Sequence, residues 1–497
     1  MGVLNSHNNG RQYREGESIV STQPKRVGIL VGGGPAPGIN SVIGAATIRS
    51  INHGAEVVGI LDGFKWIMRG DIDHTKELTI ERVSRIHFRG GSYIGVSRDN
   101  PTKDPRNLEN TVTSLLRLNI DKLITIGGDD TAYSAMKLEE MAASRIRVVH
   151  VPKTIDNDLD LPHGISTFGF QTARHLGVDI VKNLMVDANT TSRWFFVITM
   201  GRKAGHLALG IGKAAGATLT LIPEEFRDRK LSMKKLTDIL VGAIIKRLSY
   251  GRTDGVAVLA EGLVERLSHE ELSSLVDVER DAHDNIRIAE ISFGEILKRS
   301  VQNRLAEFGL KTTVVAKNIG YELRCADPIP FDMEYTRDLG FSAAQFLMEG
   351  GNGAMVSIQD NHFVPMFFRE IVDPKTKRTR VRMVDTKSES FRIARRYMIR
   401  LGQDDFSDPH ELAKYAATAH VSLEEFQKQF YYLLEEDSDT FREGIGGWYK
   451  ESRKRVGVPV KQTAAKAPKT ASKPKQNTPK KAAPKKTASA ATKKSKK

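Results

Sequence analysis

The 497-residue chain reads as an α/β protein, and three observations predict it. Short apolar, β-branched runs such as VGILV, LITI and RVVHV recur along it. Each ends in a turn rich in glycine or acidic residues. Each turn is followed by a segment whose apolar positions repeat with helical spacing. Alternation of this kind builds a parallel sheet with helices on both faces, and ligands of such sheets bind at the carboxyl ends of the strands.

Residues 1–24 are polar without a regular apolar pattern and read as a disordered leader. From Val27 a strand, VGILV, runs into a glycine-rich turn and the helix INSVIGAATIRSI. AEVVGIL is the next strand. A helix near Leu108–Leu118 leads to the strand DKLITIGG, the helix TAYSAMKLEEMAAS and the strand RIRVVHVPK. A second set follows: a helix over Phe170–Ala188, the strand RWFFVITM, the helix LALGIGKAAG, the strand ATLTLIPE, a helix over 231–249 and the strand GVAVLAEG. TTVVAKNIGYELR reads as a further strand and Tyr335–Glu349 as a helix, before a hairpin and a charged helical extension. The expected organisation is a donor-binding α/β domain over 25–165 and a second α/β domain over 166–310. A return segment over 311–359 packs across both, and an extension covers 360–456. The segment 457–497 reads as a disordered tail.

The net charge of +15 is a property of that tail. Lys461–Lys497 holds 13 lysines and no acid, so the remaining residues carry 15 − 13 = +2. A nearly neutral body excludes a basic nucleic-acid-binding domain, while the tail has the composition of a disordered polycation that can hold polyanions or nucleic acid by counterion release. The single cysteine, Cys325, excludes an intrachain disulfide framework and suits a cytoplasmic protein. No apolar stretch approaches the roughly 18 residues of a membrane span, so no membrane partner is expected.

Three loops at strand ends carry chemistry. GGGPAPGIN, beginning at Gly32, lets backbone N–H groups approach an anion at a helix start, yet it matches neither GxGxxG nor a Walker A loop. GGDDT places Asp129 and Asp130 in a glycine turn, where carboxylates can hold Mg²⁺ or cap a helix. PKTIDND sets Lys153 just ahead of Asp156 and Asp158. A carboxylate there can act as general base, and a lysine can neutralise a transferring phosphoryl group. Together these loops suggest Mg²⁺-assisted phosphoryl transfer.

GGGPAPGIN, GGDDT, PKTIDND, MGRKAGH, AEG and GYELR stand in the order found in 6-phosphofructokinases, and the chain resembles that family over about residues 25–350. The resemblance implies two Rossmann-like three-layer α/β/α domains with the active site between them, plus the C-terminal extension and tail. It implies Asp156 as the base for the sugar 1-hydroxyl, flanked by Thr154 and Asp158, and Asp129 as the Mg²⁺ ligand. Gly33, Gly34 and Arg98 would meet the donor phosphates, and Arg202 would steady the transferring group. Met200, Gly201, Glu261, Tyr321 and Arg324 would hold fructose 6-phosphate. Arg193 would reach the sugar phosphate of a neighbouring subunit, which implies a homodimer or homotetramer.

The resemblance also speaks to the donor. ATP enzymes of the family commonly carry glycine where Asp130 stands, and an aspartate there sets a negative charge against the nucleotide's own phosphate. Lys153 is compatible with pyrophosphate but does not discriminate alone. GGDD with PKTIDND resembles the pyrophosphate-dependent branch, which implies a readily reversible enzyme. An ATP-dependent phosphofructokinase is the alternative, and a dinucleotide-binding module or a nucleic-acid-binding protein acting through the tail are readings from other classes.

Overall fold

The computed structural model describes residues 26–436 apart from 163, 227–230, 269, 272–291 and 372–379. The chain divides into a unit ending at Phe441 and a second, Arg442–Lys497, which lies outside the described residues together with the leader.

The first sheet has seven strands: β1 (Arg26–Val31), β2 (Glu56–Ile60), β3 (Thr75–Glu77), β4 (Lys122–Gly127), β5 (Arg147–Pro152), β10 (Ala354–Gln359) and β11 (His362–Phe367). Their order is β11-β10-β5-β4-β1-β2-β3. The edge pairs β2–β3 and β10–β11 are antiparallel and the inner pairs parallel. Inner strands covered on both faces need unbroken apolar runs, and every residue of β4 is buried. The second sheet is wholly parallel, β7-β8-β6-β9, from β6 (Arg193–Thr199), β7 (Leu219–Leu221), β8 (Gly255–Ala260) and β9 (Thr313–Ile319).

Helices α1 (Ile39–Ile51), α2 (Pro105–Arg117) and α3 (Asp129–Ala142) serve the first sheet. The start of α2 shows how local sequence sets a boundary. The Asp104 carboxylate accepts the Arg106 N–H, and Pro105 occupies the first helical position, where no N–H is needed. Helices α4 (Phe170–Thr191), α5 (His206–Ala215), α6 (Met233–Ser249) and α7 (Phe293–Glu307) accompany the second sheet. Helix α8 (Pro330–Met348) then carries the chain back and packs along α1 before β10 joins the first sheet. One apolar cluster runs through both sheets, joining Val31 and Ile126 to Val197 and Val258. The remaining helices, α9 (Glu389–Tyr397), α10 (Gln403–Ser407), α11 (Pro409–Thr418) and α12 (Leu423–Phe430), complete the core on the outer side of the second sheet. There Tyr415, Phe426 and Phe430 pack with Leu240, Ile244 and Leu305.

Two expectations change. TTVVAKNIGYELR is not one strand: β9 stops at Ile319, and Tyr321–Arg324 forms a helical turn entered through Gly320. Asp129 and Asp130 do not sit in a turn ahead of the helix. They are its first two residues after Gly128, where a carboxylate favours the positive end of the helix dipole.

Candidate active site

In the first sheet β1 lies between β2 and β4, so successive connections leave on opposite faces and open a crevice at the strand ends. The loops after β1, β4 and β5 line one wall of a cavity of about 510 Å³, and those after β6, β8 and β9 line the other. Of the residues singled out in the sequence, Gly33, Gly34, Arg98, Asp129, Asp130, Lys153, Thr154, Asp156, Asp158, Met200, Arg202, Glu261, Tyr321 and Arg324 all face this cavity. Gly201 and Arg193 do not. The Gly201 N–H donates to Glu261 Oε1 at 3.2 Å and so fixes a residue that does. Arg193 begins β6, at the opposite end of the strand from Met200, and its buried Nε has no partner among the described residues.

The glycine loops are held by contact rather than by composition. A Cβ on Gly32 would stand 2.4 Å from Thr131 Oγ1, and one on Gly127 would stand 2.3 Å from Thr131 Cβ. Only glycine lets β1 and β4 close on the buried Thr131. Gly33, at φ +82°, turns the chain, and its N–H donates to Ser97 O at 2.7 Å, which pins the loop bearing Arg98 beside it.

Lys153 is buried, its backbone N–H on Gly127 O at 2.7 Å and its ammonium on Gly34 O. The same Gly127 carbonyl lies 3.0 Å from Nε2 of the fully buried His150. Desolvation pushes the His150 ring down to about 3, so it is neutral and donates to that carbonyl. Desolvation also pulls Lys153 down to about 8, with Arg324 and Arg98 adding repulsion and Asp156 opposing them. Arg324 Nη1 lies 3.1 Å from where a Cβ on Gly34 would stand, and its guanidinium stacks 4.6 Å from the exposed Tyr321 ring. Three cations therefore converge on one stretch of the cavity wall.

Opposite charge gathers beside them. Burial pushes Asp156 up to about 8, and the charges of Asp158, Glu261 and Asp129 push the same way against Lys153. Asp158 is raised too, by burial and then by Asp129. Burial likewise raises Glu261. The Asp156 N–H donates to Thr154 Oγ1 at 3.0 Å, which fixes the loop's first turn.

Arg202 grips Glu265 at 3.0 Å and has a 61% exposed side chain. Lys203, quoted in MGRKAGH without a role, crosses the cleft and meets Asp129 Oδ2 at 2.6 Å. Burial alone would lower Lys203, but Asp129, then Asp158 and Asp130, hold it above the usual lysine range. A signal existed in the second cation of the Arg-Lys pair directly after a strand. His150 had none, since a histidine inside a strand reads as core.

Among the described residues no set of three or more His, Cys, Asp or Glu side chains forms a cage for a metal. The excess of carboxylates over nearby cations nonetheless fits Mg²⁺, which is usually held by one or two carboxylates together with substrate phosphates.

A carboxylate whose proton affinity is raised, beside converging cations and close-approach glycine loops at parallel strand ends, defines a phosphoryl-transfer enzyme of the doubly wound α/β class. The chain belongs to the phosphofructokinase family, whose pattern matches residues 26–347. It is 52% identical over 416 residues to a pyrophosphate–fructose 6-phosphate 1-phosphotransferase of Thermotoga maritima, covering 83% of this chain and 99% of that one. It is 51% identical over 424 residues to a protein of the same name from Naegleria fowleri, covering 83% and 97%. The fold is similar to that of a pyrophosphate-dependent phosphofructokinase from Marinobacter aquaeolei, at a TM-score of 0.56 and 16% identity over 80% of this chain and 92% of that one. Phosphofructokinase from Pichia pastoris gives a TM-score of 0.57 at 21% identity, over 84% of this chain and 41% of that one.

Proposed function

We propose that the chain catalyses reversible phosphoryl transfer from pyrophosphate to the 1-hydroxyl of fructose 6-phosphate, giving fructose 1,6-bisphosphate and phosphate. The observation that carries the chemistry is the placing of buried Lys153 and half-buried Asp156 along one wall of the cavity, where the charge of each acts on the other. Asp156 takes the proton of the attacking hydroxyl, and its raised pKa matches a base that must both accept and return a proton near neutrality. Lys153 and Arg98 hold the donor phosphates against the Gly33–Gly34 backbone. Arg202 approaches the transferring group from the other wall, and Met200, Glu261, Tyr321 and Arg324 hold the sugar phosphate. Asp129 would hold Mg²⁺ together with the donor phosphates, and the ion would supply neutralisation of their charge.

The names of the 51–52% identical relatives and the position of Asp130 support pyrophosphate as donor. Asp130 lines the cavity two residues after Gly128, where its carboxylate opposes an α-phosphate that only a nucleotide would bring. Turnover with pyrophosphate in both directions, and little with ATP, is the expected outcome of a donor assay. Good turnover with ATP alone overturns the assignment. Asp130→Gly should raise turnover with ATP and blunt the preference for pyrophosphate.

The place of Arg193 at the start of β6, away from this chain's own cavity, fits a homo-oligomer in which Arg193 reaches a neighbouring subunit's sugar phosphate. A cytoplasmic location fits the single cysteine, and polyanion contact fits the lysine-rich tail. Among the described residues no helix is long and apolar enough to cross a membrane.

A further inference from the structure

The loop bearing Asp156 and Asp158 is held from behind by a short segment of the C-terminal extension. Val381 forms an isolated antiparallel bridge with Leu159. The Arg382 N–H donates to Asp158 O at 2.8 Å. The Arg382 guanidinium then spreads over the loop's own carbonyls. Nε donates to Asn157 O at 3.2 Å, Nη1 to Ile165 O at 2.6 Å, and Nη2 to Asn157 Oδ1.

Asn157 stands between the two aspartates at φ +56°, a left-handed conformation costly for a residue with a Cβ. Its side-chain oxygen also accepts the Thr167 N–H at 2.9 Å, and Thr167 Oγ1 donates to Thr154 O at 2.7 Å. The peptide on either side of Asp156 is thus fixed by a network that ends on Arg382. The same segment reaches the other wall. His206 Nε2 donates to Arg382 O at 3.1 Å, and the Val384 N–H donates to Glu224 Oε1 at 2.9 Å. The buried Glu224 also accepts the Gly205 N–H at 2.9 Å, at the end of the loop that carries Arg202 and Lys203.

We propose that Arg382 is a positioning residue for the reaction: through Asn157 it sets the loop that presents Asp156, and through the segment 382–384 it ties that loop to the cationic loop of the opposite wall. The inference rests on Asp156 being the base, as proposed above. It gives a task to Asn157, the one member of the Asp-Asn-Asp run without one, and it makes the extension part of the catalytic apparatus.

The test uses the full-length purified chain with fructose 6-phosphate and whichever donor the wild type uses. Arg382→Met should lower kcat by about 10²-fold, the usual cost of misplacing a reacting group by an ångström. KM for both substrates should move by less than about threefold, as expected when only the transition state loses support. Arg382→Lys keeps the charge but cannot span the same acceptors, and should lose nearly as much. Asn157→Gly accepts the positive φ and removes only the Oδ1 acceptor. It should lower kcat in the same direction, and its loss should not add to that of Arg382→Met because the two residues act as one unit. Should Arg382→Met fail to fold, the Lys and Asn157→Gly variants decide. A kcat near wild type in Arg382→Met or Arg382→Lys, or a normal kcat in Asn157→Gly, overturns the inference. A wild-type chain inactive with either donor overturns the proposed function instead.

Discussion

On the first-sheet wall of the cleft, Lys153 is buried and Asp156 half-buried, and desolvation pulls the lysine down to about 8 and pushes the aspartate up to about 8. On the second-sheet wall, the side chains of Arg202 and Lys203 are 61% and 48% exposed and are held by ion pairs with Glu265 and Asp129. The first wall tunes proton affinity and the open wall supplies exposed charge. Desolvation shifts a pKa by units, whereas exposed ion pairs contribute roughly 1 kcal/mol or less. The difference separates residues whose replacement should abolish proton transfer from those whose replacement should alter how phosphate and metal are held.

The largest effect expected from breaking this contrast is at Asp156. Asp156→Asn should reduce kcat by roughly 10²–10⁴-fold or more while KM changes little. A steady-state assay giving a normal kcat would remove the base assignment altogether. A smaller effect separates Lys153 and Asp156 by pH. Below about 8 Asp156 becomes protonated and cannot accept the hydroxyl proton, so the rate falls toward acid. Above about 8 Lys153 loses the charge that holds phosphate, so the rate falls toward alkali. The profile should therefore be bell-shaped, with its two apparent pKa values belonging to the interacting pair. Lys153→Arg keeps its charge at all working pH, so the alkaline limb should move above about pH 10 while the acid limb stays. An unmoved alkaline limb would assign it to another group. The smallest effect belongs to the open wall. Lys203→Met frees Asp129, and half-saturating Mg²⁺ should fall about two- to fivefold, the worth of an exposed pair. A collapse of kcat with an unchanged Mg²⁺ requirement would place Lys203 on the transferring phosphate.

The strands that carry the first wall were readable because parallel strands covered on both faces must be unbroken apolar runs, as in LITI and RVVHV. Their carboxyl ends then located Lys153, Asp156 and Asp129 without further help. The helical turn Tyr321–Arg324 was not readable, since GYELR continues the spacing of a strand and only the break at Gly320 stops it. Arg382 was hidden for another reason. It stands in a run of basic residues, KTKRTRVR, and nothing in that run distinguishes an arginine wrapped in carbonyls from one facing water. His150 and Thr131 are likewise ordinary in sequence, and their importance comes from strands brought together across the sheet.

Thr131 and Asp130 are chain neighbours with opposite fates. Thr131 is wedged under Gly32 and Gly127, so its replacement would disturb two loops at once. Asp130 is exposed, and a change there should cost folding no more than about 0.5 kcal/mol, the usual range for a surface position. If Asp130 sets the donor as proposed, that preference is lodged at a site that can be rewritten without rebuilding the scaffold, so a lineage could exchange one energy currency for another by a single step while keeping its catalytic geometry.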